Sequence, residues 1–247
     1  MPAHLGRLQT SSLIKENLAS ALKQAIMDGR LSRGQRVTEG RWAKEFGVAQ
    51  ASVREAINLL IAEGFLVKDA GRSARVVNYR EQDVAQLYEV RSALEGLAAE
   101  LACGKQTDLA PLEAAFERMF AMAESSDMKA LIQSDLDFHV ALIEASRNPV
   151  LAELGKRLLF PLFAFVQIQV LNSGQGPEAW IDDLPHHDLI VQVIREGNPS
   201  LAGQFVRHSM KRFAGSAYAV WQNIGGSVDA HYKGQKSRSR KGKSAHV

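Results

Sequence analysis

The chain is poor in cysteine, since Cys103 is the only one among 247 residues. An internal disulfide is therefore impossible, and a cluster of thiolate metal ligands is excluded. Long apolar runs are also missing: the longest covers residues 158–166, which is too short for a membrane span of about 20 residues. The first residues lack the charged-then-apolar pattern of a secretory signal. We therefore expect a cytoplasmic protein without a membrane partner.

The net charge of +3 hides an uneven distribution. Residues 1–78 carry 12 Lys/Arg and 7 Asp/Glu, a net charge of +5, whereas residues 79–225 carry 12 and 19, a net charge of −7. Residues 226–247 carry 6 and 1, which again gives +5. A basic first segment is typical of contact with a polyanion, and the acidic middle segment indicates a separate role.

The first 78 residues follow the element order of a winged helix-turn-helix. Apolar spacing predicts three helices and then a β-hairpin: helices over 11–29, 39–46 and 49–63, and strands over 65–68 and 74–77. Gly29, Gly47 and Gly64 stand where the three helices end. We assign residues 1–78 to a DNA-binding domain.

From residue 79 onward strand signals are almost absent, and long helices with short connections predict an antiparallel helical bundle. The predicted helices lie near 82–103, 107–124, 128–146, 149–172, 181–196 and 199–222. Asp127 is a plausible N-cap, and Pro149 and Pro199 suit first-turn positions. The fold class is thus mainly α, with the bundle over 79–225 and a basic tail over 226–247 that we expect to be disordered.

The second helix of a helix-turn-helix presents its N-terminal side chains to base edges in the major groove. Gln50 can pair with adenine, Ser52 can bond to a phosphate, and Arg54 can reach a phosphate or a guanine. The hairpin tip offers Gly71 and Arg72, with Arg75 beside them, to the DNA backbone or minor groove. The alternative is a helical hairpin whose charged face is merely solvated.

Four of the seven histidines fall in the bundle, at 139, 186, 187 and 208. Asp135 and His139 are four residues apart, so they share one helix face, which Phe138 and Leu142 direct inward. Inward carboxylate and imidazole groups from different helices are a common way to build a metal site in a bundle. Such ligands suit Zn²⁺, Ni²⁺, Mn²⁺ or Fe²⁺. The alternative is a set of buried, hydrogen-bonded histidines.

Arg91 also has two interpretations. It can receive a carboxylate effector beside the metal as a bidentate donor, or it can pair with Glu95 one helical turn away. The apolar stretch 158–171 can line the same cavity or serve only as core.

The first domain resembles the GntR family of regulators through residues 39–76. The matching motifs are Phe46-Gly47-Val48, Val53-Arg54-Glu55-Ala56 and Glu63-Gly64-Phe65-Leu66, together with the turn from Gly29 to Gly34. The resemblance implies DNA contacts by Arg54 and Gly71. It also makes Arg41 a candidate, because the family often has arginine where Gly40 stands. Ala49 replaces the usual capping Ser or Thr, at a cost of about 1 kcal/mol, and Gln50 replaces an arginine, so the operator sequence is not implied.

The second domain resembles the FadR-type ligand-binding domain. The markers are Asp135-x-x-Phe138-His139, Asn148-Pro149 and Arg91-x-x-Leu94-Glu95, followed by His187 and His208. The resemblance implies a divalent metal, with zinc as the first choice, held by Asp135, His139, His187 and His208. His186 is the alternative to His187, because its separation from His208 fits the family better.

These features together predict a regulator and not an enzyme. We expect a homodimer that reads a pseudo-palindromic double-stranded operator. A small organic acid would bind near the metal and Arg91 and release the DNA, which is the behaviour of a repressor. The alternatives are a metal-dependent enzyme built on the bundle and a nonspecific nucleic-acid binder that uses the basic tail.

Overall fold

The computed structural model describes residues 3–68, 73–104, 107–125, 127–173 and 178–215, without the side chains of 3–12, 171–173 and 178–179. Helices dominate these residues, which confirms the mainly α fold with its small N-terminal sheet. Gly71, Arg72 and the tail 226–247 lie outside the described residues. None of the described helices combines the length and the apolar content that a membrane span requires.

The N-terminal domain consists of three helices and a three-stranded antiparallel sheet in the order β1-β3-β2. Its elements are α1 (Ala3–Met27), β1 (Arg36–Val37), α2 (Glu39–Phe46), α3 (Gln50–Ala62), β2 (Leu66–Val67) and β3 (Ala74–Val76). Leu66 lies opposite Val76, and Val37 opposite Ala74. β1 was not predicted, because a strand of two residues shows no periodicity. β1 pairs with β3 and so joins the β2–β3 hairpin to the segment between α1 and α2.

Local sequence explains how α2 and α3 meet. Gly47 ends α2 in the left-handed region, at φ 66°, which a residue without Cβ adopts freely. Ala49 then begins α3 as an N-cap that provides no side-chain hydrogen bond, as its methyl group predicts. Val53, Ile57 and Leu60 are buried on one side of α3 and fix it in the core of the domain.

The helical bundle comprises α4 (Glu81–Ala102), α5 (Ala110–Glu124), α6 (Met128–Ala145), α7 (Pro149–Ser173), α8 (Glu178–Ile181), α9 (Leu184–Arg195) and a last helix, α10, described over residues 199–215. The Asp127 side chain accepts a hydrogen bond from Ala130 N at 3.0 Å, which confirms the predicted N-cap of α6. α5 begins three residues later than predicted, with Pro111 in its first turn. The single helix predicted over 181–196 is divided by a turn, because Pro185 lies in the first turn of α9.

Helix α7 belongs to both halves of the molecule. Its Ala164 and Ile168 are buried in the core of the N-terminal domain. Pro161 lies inside the helix and has no backbone N–H to donate to the carbonyl of Arg157. Gly64 lies over this position, and a Cβ there would come within 3.2 Å of the Pro161 ring. The N-terminal domain is therefore packed directly against the helix that follows α6.

Side chains of opposite charge and aromatic rings complete this junction. The Lys23 ammonium lies 4.6 Å from the ring centroids of both Phe65 and Phe160, and its Nζ contacts a Glu63 oxygen at 2.9 Å. Cation–π contacts of this kind stabilise by about 0.5–1 kcal/mol at exposed sites. Packing and charge together therefore hold the N-terminal domain against α7.

Candidate metal centre and DNA-reading surface

Three ligand atoms from α6 and α9 converge in the core of the bundle. His139 Nε2 lies 3.1 Å from Asp135 Oδ1, His187 Nε2 lies 3.2 Å from the same oxygen, and the two Nε2 atoms are 3.3 Å apart. All three residues are buried. Asp135 and His139 share a face of α6 as their spacing predicts, and α9 brings His187 to them.

The outer partners of the two imidazoles determine where their lone pairs point. His139 Nδ1 lies 2.6 Å from Glu95 Oε2, and His187 Nδ1 lies 2.9 Å from the carbonyl oxygen of Asp183. Both Nδ1 atoms therefore donate, which leaves each neutral ring with a lone pair on Nε2. Although Asp135 Oδ1 lies close to both imidazoles, it has no partner of hydrogen-bonding geometry among the described residues. With both rings neutral, three acceptor atoms face one another, an arrangement that a bound cation would stabilise.

The spacing of these acceptors fits a divalent metal. Zinc bonds of roughly 2.0–2.1 Å in tetrahedral geometry separate neighbouring ligand atoms by about 3.3–3.4 Å, close to the distances observed. A carboxylate and a carbonyl that orient the ligating histidines are the usual outer partners of a metal site. Two histidines and one carboxylate leave open positions, an arrangement also suited to Fe²⁺, Ni²⁺ or Mn²⁺. The residues present therefore fit the predicted cofactor, without distinguishing among these metals.

Burial and charge act in opposite directions on this cluster. Burial raises the pKa of Asp135, but the contacts with His139 and His187 outweigh it and hold the pKa below its ordinary value. Burial and Arg91 lower the pKa of His139, whereas Glu95 and Asp135 raise it, and the net shift is upward. The lowered pKa of Asp135 and the raised pKa of His139 both have the direction expected where buried carboxylates attract positive charge.

Arg91 and Glu95 form a buried pair beside the cluster, as the second interpretation of Arg91 predicts, and the role of Arg91 toward an effector stays a prediction. Arg91 Nε donates to Glu95 Oε1 at 2.6 Å, while its Nη2 has no hydrogen-bond partner among the described residues. The guanidinium lies 5.1 Å from the ring centroid of Tyr88 and 5.0 Å from that of Phe163. Arg91 therefore offers one buried donor atom, Nη2, that has no hydrogen-bond partner among the described residues.

A small cavity of about 20 Å³ adjoins these groups. Its walls include Arg91, Asp135 and His187, together with aromatic and apolar side chains from α4, α7, α8 and α10: Tyr88, Phe163, Val166, Trp180 and Phe213. Burial raises the pKa of Tyr88 to about 12, so its hydroxyl stays protonated. Room for a water molecule requires roughly 10–15 Å³, so the cavity accommodates about one water molecule.

The prediction that His208 completes the ligand set is wrong for this structure. Its side chain is exposed on α10, outside the cluster. The next residue, Ser209, is fully buried and donates to the carbonyl oxygen of Phe205 at 3.1 Å. One turn further on, Phe213 stacks on the His187 ring at 4.5 Å between centroids. A shift of one residue rotates a side chain by about 100° around a helix, which places histidine outside and serine inside.

The structure also separates His187 from its neighbour. His187 belongs to the cluster, whereas His186 is half-buried and stacks on Phe205 with centroids 6.2 Å apart. Sequence reasoning did not identify Glu95 or Phe213 as parts of the site. The spacing of Glu95 from Arg91 predicts a contact within one helix. The contact of Glu95 with His139, on another helix, could not be predicted from the sequence.

The predicted DNA-contacting residues that are described all lie near α2 and α3. Gln50 and Arg54 are exposed one turn apart on α3, and Ser52 is half-buried in its first turn. Arg54 is held by Glu39, with Nε 3.0 Å from both carboxylate oxygens and Nη2 2.8 Å from one. Arg41, on α2, approaches Glu45 at 3.9 Å.

Comparison with known proteins agrees with both halves. Residues 14–76 match the gntR family of bacterial regulatory proteins, and residues 86–212 match the FCD domain. The chain is 32% identical to the HTH-type transcriptional regulator YdhC of Bacillus subtilis, over 75% of this chain and 82% of that protein. It is 26% identical to the "Probable D-xylose utilization operon transcriptional repressor" of Paenarthrobacter nicotinovorans, over 90% and 94% of the two chains.

Solved structures support the fold. A GntR transcriptional regulator from Rhodococcus sp. RHA1 superposes with a TM-score of 0.70 at 21% identity, covering 83% of this chain and 97% of that one. The E. coli protein McbR/YncC gives the same TM-score at 20% identity, with coverage of 84% and 98%. The matched families and relatives are regulators and not enzymes, so the enzyme alternative has no support. The chain belongs to the GntR family of bacterial transcriptional regulators, with an FCD domain as its C-terminal half.

Proposed function

We propose that this regulator holds a divalent metal through Asp135, His139 and His187, and that a small organic acid bound beside the metal controls its affinity for an operator. The observation that carries the proposal is the convergence of three acceptor atoms next to the unpartnered Nη2 of Arg91. When bound, the metal would supply a Lewis-acid site for an oxygen of the effector. The metal and the Arg91 donor could then bind the two oxygens of one carboxylate group.

The charge count of the buried network favours an anion. Arg91 contributes +1, and Glu95 and Asp135 contribute −1 each, because their contacts hold the pKa of both carboxyls below the ordinary value against burial. With neutral histidines the sum is −1, and a divalent metal changes it to +1. A monocarboxylate then makes the network neutral, which buried sites favour because uncompensated charge is costly away from water.

An organic acid needs more room than the described cavity provides. Binding must therefore displace part of its wall, and a ligand shifts a conformational equilibrium only by its differential affinity for the two states. Phe163 and Val166 of α7 lie in that wall, while Ala164 and Ile168 of the same helix lie in the core of the DNA-binding domain. We propose α7 as the element that couples the effector site to the DNA-binding domain.

We propose that the protein acts as a homodimer. The outward face of α4 exposes Val90, Leu97 and Leu101, at 50%, 41% and 44% of their surface. Spacings of seven and four residues keep these side chains on one face of the helix, as in a helix–helix seam. Sedimentation at several protein concentrations tests this, and a charged residue at Leu97 is expected to weaken the dimer.

We further propose repression that the effector relieves, as the names of the Paenarthrobacter protein and of the gluconate operon transcriptional repressor of Bacillus subtilis indicate for those relatives. The test is an operator-binding titration of the metal-loaded protein with a panel of small carboxylates. One of them is expected to weaken operator binding by roughly 5- to 150-fold, the usual range of allosteric coupling. No change with any member of the panel would contradict the proposal.

Two variants separate effector binding from its coupling to the DNA-binding domain. Arg91→Lys keeps the charge beside Glu95 but removes the second donor edge, so the effector is expected to bind at least about tenfold more weakly. Ile168→Val trims the contact of α7 with the DNA-binding domain and should reduce coupling without changing effector affinity. Leu154→Ala, on the exposed side of α7, is the matched control and should leave both unchanged.

A further inference from the structure

The contact between Glu39 and Arg54 divides the guanidinium into two edges. Glu39 lies in the first turn of α2, and its carboxylate accepts from Nε and Nη2 of Arg54 at 2.8–3.0 Å. The edge formed by Nη1 and the second hydrogen of Nη2 is left for another partner. A second bidentate contact therefore remains possible without breaking the first.

The free edge lies on the exposed face of α3. The Arg54 side chain is 59% exposed, and Gln50 and Asn58, one turn before and after it, are also exposed. Val53 and Ile57 face the opposite way, into the core. In a helix-turn-helix this outward surface of the second helix is the one that enters the major groove.

We infer that Glu39 is a specificity-determining residue, which orients Arg54 so that its free edge reads a guanine and not a phosphate. Guanine presents two acceptors, O6 and N7, that match two parallel N–H donors. A phosphate at the same place would approach the Glu39 carboxylate, and like charges brought together disfavour that complex. The inference rests on the DNA-binding activity of the family and assigns one base to one side chain.

Two physical effects follow from the carboxylate. It limits the rotamers of Arg54 before DNA arrives, so less side-chain entropy is lost on binding. It also lowers the sequence-independent attraction of the recognition helix for the DNA backbone, since it neutralises one cation. Hydrogen bonding by Arg54 holds the pKa of Glu39 below its ordinary value, so the carboxylate stays charged at neutral pH. Glu39 thus lowers the affinity for DNA of any sequence and raises the discrimination between bases.

The experiment selects binding sites from randomised DNA duplexes with the full-length chain, its Arg54→Ala and Glu39→Gln variants, and a matched control. The control is Glu45→Gln, which removes a carboxylate from the same helix, where Arg41 is approached only at 3.9 Å. Circular dichroism of each variant checks that it is folded. A second measurement replaces the selected guanine by 7-deazaguanine, which removes the N7 acceptor.

The wild type and Glu45→Gln are expected to select the same guanine in each half-site. Arg54→Ala should lose that preference alone, and 7-deazaguanine should weaken wild-type binding measurably but leave Arg54→Ala binding unchanged. The preference is expected to be about 5- to 150-fold, which is the range for one bidentate contact. Glu39→Gln should reduce the preference, strengthen binding to unrelated DNA and steepen the salt dependence by about one phosphate contact.

Uniform loss of affinity in Arg54→Ala, with every base preference kept, would identify a phosphate contact and overturn the inference. Unchanged discrimination and salt dependence in Glu39→Gln would equally remove the role of Glu39. A wild type that enriches no sequence would instead count against DNA reading by the chain itself, and that outcome is recognisable before any variant is compared.

Discussion

The two halves of the molecule treat charge in opposite ways. Every buried polar or charged side chain among the described residues lies after residue 81: Arg91, Glu95, Ser134, Asp135, His139, Ser146, Gln167, Gln169, Asp183, His187 and Ser209. In the described part of the N-terminal domain the buried side chains are apolar, and ion pairs such as Arg54–Glu39 stay at the surface. The N-terminal half thus has an apolar core, whereas the helical half buries charged and polar side chains, several of them at the candidate metal centre.

The largest expected effect comes from breaking the buried network at its centre. Glu95→Ala leaves the Arg91 charge unpaired and removes the acceptor of His139, and the loss of one partner of a buried pair destabilises by about 3–5 kcal/mol. Urea denaturation of the full chain measures the change. The matched variant in the other half, Glu39→Ala, removes an exposed carboxylate and should cost at most about 1 kcal/mol. Equal losses would mean that the two halves do not differ.

Metal removal is the next largest effect. A ligand at 100 times its dissociation constant stabilises the folded state by about 2.7 kcal/mol, so a chelator should lower the free energy of unfolding by roughly that amount. His139→Ala should abolish both the bound metal, measured by mass spectrometry, and the response to chelator. His208→Ala should retain both, because that side chain lies outside the cluster. Loss of metal from His208→Ala would restore the ligand set predicted from the sequence.

A gain is expected in the N-terminal domain. Ala49 caps α3 without a side-chain hydrogen bond, and its φ of −66° and ψ of 142° suit a serine. Ala49→Ser should therefore raise the free energy of unfolding by about 1 kcal/mol. Ala51→Ser, two residues further and inside the helix, is the control and should bring no gain. Thermal denaturation distinguishes the two variants.

The smallest effect is a pH dependence at the start of α4. The hydrogen bonds of Arg80 to Asp83 lower the pKa of that carboxyl to about 2. Because the folded pKa lies below the unfolded one, this contribution is present above the unfolded value and is lost as the pH falls toward 2. Asp83→Asn should destabilise slightly and equally at pH 7 and pH 5, with the difference shrinking below about pH 4.

The sequence predicted features within one helix well, and it predicted contacts between helices poorly. Asp127, whose cap depends on residues three positions away, was predicted correctly. His208 was predicted as a ligand from the family resemblance, but the rotation of α10 about its axis places Ser209 inside and His208 outside. A sequence pattern does not define that rotation within one residue. Glu95 was seen as a partner of Arg91, four residues away, but not of His139, 44 residues away. The sequence did not predict that α7 packs on the DNA-binding domain. A helix that is apolar on two faces does not show which neighbouring element covers each face.

The size of the cavity beside the candidate metal centre has a consequence for the rate of the proposed response. A cavity of about 20 Å³ has room for about one water molecule, so the organic acid proposed above would require movement of wall residues such as Trp180 and Phe213. If opening precedes binding, it is a first-order step whose rate does not depend on the effector concentration. We expect the rate of operator release to level off at high effector concentration, so that the molecule itself, and not the supply of metabolite, determines how fast transcription responds.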